Sequence, residues 1–197
     1  MSAPFRRICV FCGSAAGRGP DFEAAARAVG AELARRKVGV VFGGGNVGLM
    51  GALADGALAG GGEVIGVIPR ALESLELAHQ GVRDMRVVAS MHERKQLMHD
   101  LSDAFVALPG GLGTLDELFE TLTWSQLGFH AKPVGCVNVS HFFDPLLTYL
   151  DAATSHGFIR GSHRGLLLID STIEGLLDQF ARWDPPSKPK YLRRDET

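Results

Sequence analysis

Cysteine is scarce in this chain, and its count is odd: Cys9, Cys12 and Cys136 in 197 residues. That excludes a disulfide framework of the kind that staples small secreted domains. Cys9 and Cys12 form C-x-x-C, but no second cysteine pair or histidine pair completes a zinc site. Both fall in a predicted strand, where that spacing sends them to opposite faces of the sheet. They are expected to be buried free thiols. An excess of either charge is missing as well. Lys and Arg total 20 against 22 Asp and Glu, a net charge of −2. Nothing global favours nucleic acid or an anionic membrane, so any anion site must be local. No apolar run reaches transmembrane length, and no N-terminal segment has the pattern of a signal peptide. The expectation is a cytoplasmic protein with neither membrane nor nucleic-acid partners.

Several catalytic signatures are also absent. The histidines at 79, 92, 99, 130, 141, 156 and 163 form neither H-x-x-x-H nor H-E-x-x-H. No metal-ligand cluster is seen, and no metal or other cofactor is expected. No G-x-S-x-G elbow is present, which speaks against an α/β serine hydrolase. Pyridoxal phosphate needs a lysine embedded in the fold for its Schiff base. Only Lys37, Lys95 and Lys132 lie within the fold, and Lys95 alone is near a glycine loop.

What the chain has in quantity is glycine, 25 residues of it. In an α/β chain this means tight strand-to-helix turns. Short apolar runs alternate with helical patterns. Strands are read at Ile8–Cys12, Val38–Phe42, Val64–Ile68, Arg86–Val88, Ala104–Leu108, Val134–Val137 and Leu166–Ile169. Phe22, Ala26, Val29 and Leu33 recur as a helix stripe. Leu49 to Ala59 reads as a helix of small residues. Ser90–Glu93 is a capping box that opens a helix to about Leu101. A helix from the loop at Gly110 runs to about Gly128, another from Phe142 to about His156, and a last one follows Ser171-Thr172. The expected fold is a three-layer α/β domain over residues 1–183, with a mostly parallel sheet and helices on both faces. A loose tail rich in proline and charge follows, residues 184–197.

Ligands in such folds sit beyond the carboxyl ends of the strands, at the switch point. Three glycine loops fall there: Gly13-Ser14, Gly43–Gly48 and Gly110–Gly113. Gly43–Gly48 matches G-x-G-x-x-G, and Glu63 lies near the place of a ribose-binding acid. The match is on the second strand, however, and the spacing is short. A second glycine wall of a mononucleotide pocket fits those residues better than a dinucleotide site, and a purely structural turn is the remaining reading.

The densest signal is Pro109-Gly110-Gly111-Leu112-Gly113-Thr114-Leu115-Asp116-Glu117, between a buried strand and a helix. Unpaired N–H groups and the positive end of the helix dipole make this start an anion site. Thr114–Glu117 is also a capping box, so Glu117 has a purely local reading as a cap. Gly-Gly-x-Gly before it is more than a cap needs. Arg94 and Lys95 lie in the first turn of their helix, where cations oppose the dipole. Arg94 falls on the apolar stripe Met91, Arg94, Met98, Leu101. It is either an arginine whose stem packs while its head reaches water, or one that meets an anion or Glu117.

Together these motifs resemble the LOG family, the cytokinin-activating phosphoribohydrolases. The family's P-G-G-x-G-T-x-x-E is complete at Pro109–Glu117, its R-K pair is Arg94-Lys95, and G-G-G-x-x-G-L-M-G stands at Gly43–Gly51. The C-G-S turn is Cys12-Gly13-Ser14. Members are often labelled lysine decarboxylases, which the lysines here do not support. The resemblance implies a Rossmann-like domain, forming a homodimer that hydrolyses the N-glycosidic bond of an adenosine 5′-monophosphate, N6-prenylated or plain. Free base and ribose 5-phosphate are the products. It implies Arg94 and Glu117 as the catalytic pair. Lys95 and the segment Gly111, Leu112, Gly113, Thr114, Leu115, Asp116 and Glu117 would bind nucleotide, with Glu76 and Thr123 as further contacts. A carboxylate near the ribose suits the cationic transition state of glycoside cleavage. The competing readings are a nucleotide-binding or sensing module without catalysis and, from Gly43–Gly48, a dinucleotide oxidoreductase.

Overall fold

A computed structural model describes residues 5–73 and 78–184. Seven strands form one sheet: β1 (Arg7–Phe11), β2 (Gly39–Phe42), β3 (Val64–Pro69), β4 (Asp84–Val88), β5 (Ala104–Ala107), β6 (Val134–Val137) and β7 (Leu167–Asp170). Their order is β4-β3-β2-β1-β5-β6-β7, and every described pairing is parallel. The helices are α1 (Asp21–Arg35), α2 (Gly48–Ala59), α3 (Arg70–Glu73), α4 (Met91–Asp100), α5 (Leu112–Leu127), α6 (Asp144–Ser155), α7 (Gly161–Arg164) and α8 (Ile173–Ala181).

The period of two along β1 divides the core into two layers. Ile8, Val10 and Cys12 pack with α1, α2 and α8, while Cys9 and Phe11 pack with α4, α5 and α6. The C-x-x-C cysteines therefore do face opposite sides, and all three cysteines are buried free thiols. Phe42, Phe105 and Phe143 are among the largest fully buried side chains. Each contributes on the order of 1.5–3 kcal/mol relative to exposure.

α1 and α2 meet backbone to backbone. A Cβ on Gly30 would strike the Leu53 carbonyl, and one on Gly56 the Arg27 carbonyl. This close approach is why α2 is built from small residues, and it anchors the loop that precedes α2. The chain order reverses between β1 and β5. Their following loops leave towards opposite faces and open a crevice there. The two loops are laced together: Gly13 N–H donates to the Pro109 carbonyl at 3.0 Å, and Leu49 N–H to the Gly13 carbonyl at 3.0 Å. The loop after β2 is pinned as well, by His79 N–H donating to the Gly44 carbonyl at 2.9 Å.

All seven predicted strands are present, with ends displaced by a residue or two. The last helix buries Ile173, Leu176, Leu177 and Phe180, and its cap is the Thr172 hydroxyl, which accepts from Gly175 N–H. α7 has no counterpart in the sequence reading, because four residues carry no periodicity. Glu76 lies outside the described residues, as does the tail beyond Asp184. Among the described residues no helix is long and apolar enough to cross a membrane.

Candidate active site

The three glycine loops converge on one cavity of about 200 Å³ at the carboxyl ends of β1, β2 and β5. Gly13 and Ser14 wall it after β1, Gly43 after β2, and Met91 and Arg94 from α4. The remaining wall is the start of α5, with Gly111, Leu112, Gly113, Thr114, Asp116 and Glu117.

The glycines of this cavity divide into two kinds. Gly110 and Gly43 are required by the protein itself. A Cβ on Gly110 would strike the Thr114 hydroxyl, and one on Gly43 the Arg94 guanidinium. A Cβ on Gly111 or Gly113 would meet nothing within 4 Å. Neither has a left-handed backbone. Nothing in the fold demands glycine at those two positions. Glycine there leaves the backbone open to close approach by a ligand.

α5 begins at Leu112 with Gly111 as its N-cap, and no side chain caps it. This corrects the capping box read at Thr114–Glu117. Thr114 is not a cap but a buried residue in the first turn, 4% exposed. The purely local reading of Glu117 loses its basis, because the helix has already started. The first turn of α5, which lines the cavity, has no side-chain cap for its N–H groups.

Arg94 is 6% exposed, so its head does not reach water as the surface reading required. Its Nε donates to the Val67 carbonyl at 3.1 Å and a terminal nitrogen donates to the Gly43 carbonyl at 2.9 Å. Two carbonyls, one within β3 and one just after β2, thus fix the guanidinium in the cavity wall. The Cys12 thiol lies in the cavity lining and is pushed up by burial, further by the charge of Glu117, with Arg94 opposing. It stays protonated and is no nucleophile.

Other predicted residues are placed elsewhere. Lys95 turns its Nζ to Asp116 and Glu120 and is not part of the cavity lining. Leu115 is half-buried outside the lining, and the Thr123 hydroxyl donates to the Phe119 carbonyl at 2.7 Å further along α5. Glu63 forms a bidentate pair with Arg7 at 2.7 and 2.9 Å. It precedes β3, at the amino end of the sheet, so it cannot meet a ribose held beyond the carboxyl ends. That removes the acid of the dinucleotide fingerprint. Sequence reasoning did not single out Met50 and Met91 as cavity walls. Met91 sits one turn before Arg94 on the same stripe, which was the available signal.

This chain is similar to known proteins over nearly its whole length. It is 47% identical over 181 residues to cytokinin riboside 5′-monophosphate phosphoribohydrolase LOG of Oryza sativa subsp. japonica, spanning 92% of this chain and 75% of the relative. The chain belongs to the LOG family. A second LOG protein, LOG7 of Arabidopsis thaliana, is 44% identical over 92% of this chain and 83% of its own length. A family profile described as "Possible lysine decarboxylase" matches residues 50–180. The same Rossmann-like fold occurs in the molybdenum cofactor carrier protein of Chlamydomonas reinhardtii, with a TM-score of 0.67 and 21% identity over 90% of this chain and 96% of that one. The molybdenum cofactor binding protein of Rippkaea orientalis superposes with a TM-score of 0.66 at 22% identity over 89% and 94%. At such identity the likeness concerns the fold alone.

The described lysines of this LOG family member give the decarboxylase description no support. Lys37 follows α1 at a left-handed turn, and Lys95 is held by two carboxylates. Lys132 donates to the His99 carbonyl at 2.8 Å and lies over the Phe105 ring. Among the described residues, no lysine lines the cavity and no group of His, Cys, Asp or Glu is arranged to hold a metal ion.

Proposed function

We propose that the cavity hydrolyses the N-glycosidic bond of an adenosine 5′-monophosphate, N6-prenylated or plain. The single observation that carries this is Glu117 beside open glycines on one helix, with Arg94 fixed in the same cavity. The 5′-phosphate sits against the first-turn N–H groups of α5, where Gly111 and Gly113 let it approach. Glu117 lies three residues beyond Thr114, about 4.5 Å along the helix axis. That brings its carboxylate towards the ribose of the same nucleotide.

The bond between C1′ and the base nitrogen breaks with its electron pair leaving on the base. Positive charge builds on the sugar, and a carboxylate there stabilises it or activates water. Water adds its oxygen to C1′, and its proton goes to the departing base. The products are free base and ribose 5-phosphate. Arg94 supplies a fixed positive charge for the phosphate or the sugar hydroxyls. Leu115, Asp116, Thr123 and Glu76 are carried into the nucleotide-binding set by their match to the family pattern; Lys95 matches it too, but its ammonium is engaged by Asp116 and Glu120.

A homodimer is part of the same proposal. Phe129 and Leu127 at the end of α5 are 64% and 44% exposed, and Trp124 is half-buried beside them. Phe143 is core, at 2%, and Phe142 is held edge-on between Phe22 and Phe143. Light scattering should give about twice the chain mass of 21.1 kDa. Three buried thiols without a disulfide suit a reducing compartment, and we place the protein in the cytoplasm.

Incubation of the purified protein with AMP and with N6-prenylated AMP tests the reaction. Free base together with ribose 5-phosphate is the expected product pair. Nucleotide binding without any product would instead make the chain a sensing module.

A further inference from the structure

Arg94 and Lys95 are adjacent in α4, so about 100° of helical rotation separates them. They serve different partners. Arg94 walls the nucleotide cavity, whereas the Lys95 ammonium lies 3.2 Å from Asp116 Oδ2 and 3.0 Å from Glu120 Oε1. Asp116 and Glu120 are one turn apart on α5, and Glu117 stands between them in the chain. The lysine side chain is only 12% exposed. A second, much smaller void of about 10 Å³ is lined by Lys95, Glu120, His99 and Glu117. Glu117 therefore has the nucleotide cavity on one side and the Lys95 cluster on the other.

We propose that Lys95 is a positioning residue, which ties the turn of α4 that carries Arg94 to the turn of α5 that carries Glu117. The inference rests on the reading of the cavity as a nucleotide hydrolase site. It assigns Lys95 a task distinct from contact with substrate. α4 and α5 are separate helices joined through β5 and a glycine loop, so the spacing of Arg94 and Glu117 is not set by either helix. Two carboxylates on one ammonium set it directly. They use two of the three donors that the group possesses. Burial alone would lower the Lys95 pKa, but the hydrogen bonds it donates to Glu120 and Asp116, with the charges of those carboxylates, outweigh burial and raise it overall. The Lys95 ammonium stays charged at neutral pH.

The experiment compares wild type, Lys95→Met, Lys95→Glu, Glu120→Lys and the double variant Lys95→Glu/Glu120→Lys, with AMP as substrate. A positioning role predicts that Lys95→Met lowers kcat at least about tenfold, while KM changes less than about threefold. The double variant, which restores the opposite charges in reversed places, should recover kcat at least about fivefold over Lys95→Glu alone. A rise in KM with kcat preserved, or no recovery in the double variant, overturns the proposal, since direct phosphate contact would behave so. Melting temperatures are read on the same proteins. Coupling between positions 95 and 120 in that cycle measures the clamp without reference to turnover, and its absence also overturns it. A wild type that releases no base overturns the reading of the cavity and the catalytic part of this inference, while the thermal coupling is judged by itself.

Discussion

Arg94 of α4 and Glu117 of α5 wall the same cavity, although each belongs to a different helix and only Glu117 shares a helix with the open glycines. Two backbone carbonyls hold the arginine, and α5 holds the glutamate above its own first turn. The placement of opposite charges around a site proposed to accept a phosphate gives each residue a separable test.

Glu117→Gln keeps the volume and removes the charge. The helix does not depend on Glu117 for its cap, so the melting temperature should stay close to wild type. Base release should fall by at least about 10²-fold, while AMP still binds. Steady-state kinetics and calorimetric titration of the same protein check both halves.

Gly113→Ala separates fold from ligand. The new Cβ meets nothing within 4 Å in the free protein. Alanine in a helix is favoured over glycine by about 0.5–1 kcal/mol, so stability should hold or rise. KM for AMP should increase at least about tenfold, because the methyl stands where the phosphate approaches. Gly110→Ala should behave in the opposite way. Its Cβ would strike Thr114, and a loss of about 1–3 kcal/mol in stability should appear in denaturant titration.

Arg94→Lys is not a conservative change here. One ammonium cannot reproduce the planar fork that reaches both Val67 and Gly43 carbonyls. A buried carbonyl left unpaired costs about 1–3 kcal/mol. Stability and base release should both fall, the second by about 10²-fold or more. Urea melts and product assays check the pair of effects.

His99 gives the fold a pH dependence of its own. Burial, then Lys132 and His130, lower its pKa from 6.5 to about 4. In the unfolded chain it takes a proton at higher pH than in the folded one. Stability is therefore complete above about pH 6.5 and is lost as pH falls towards 4. The ring stacks on Phe105 at 5.1 Å between centroids. His99→Phe keeps a ring there and removes the titration. Between pH 7 and pH 5 the variant should lose less stability than wild type, by about 1 kcal/mol or more. Thermal melts at the two pH values measure it.

Much of this was legible in the chain. Strand and helix periods gave the parallel sheet, and the three glycine loops fell at the switch point because glycine marks tight strand-to-helix turns. Arg94 stood out as a charge on an apolar stripe. The start of α5 was not legible, since T-x-x-E imitates a cap while the true N-cap, Gly111, has no side chain to announce itself. The partners of Arg94 are backbone carbonyls, which any residue supplies, so no pattern encodes them. The partners of Lys95 lie 21 and 25 residues away on another helix. Such pairing depends on how α4 and α5 pack, which composition and spacing do not contain.

The most direct test of the hydrolase reading is a product analysis of wild type and Glu117→Gln with AMP and N6-prenylated AMP, by chromatography of base and sugar phosphate together. The site described here predicts equimolar free base and ribose 5-phosphate from wild type and loss of both in Glu117→Gln. Nucleotide bound without product, or product formation that survives Glu117→Gln, would contradict it.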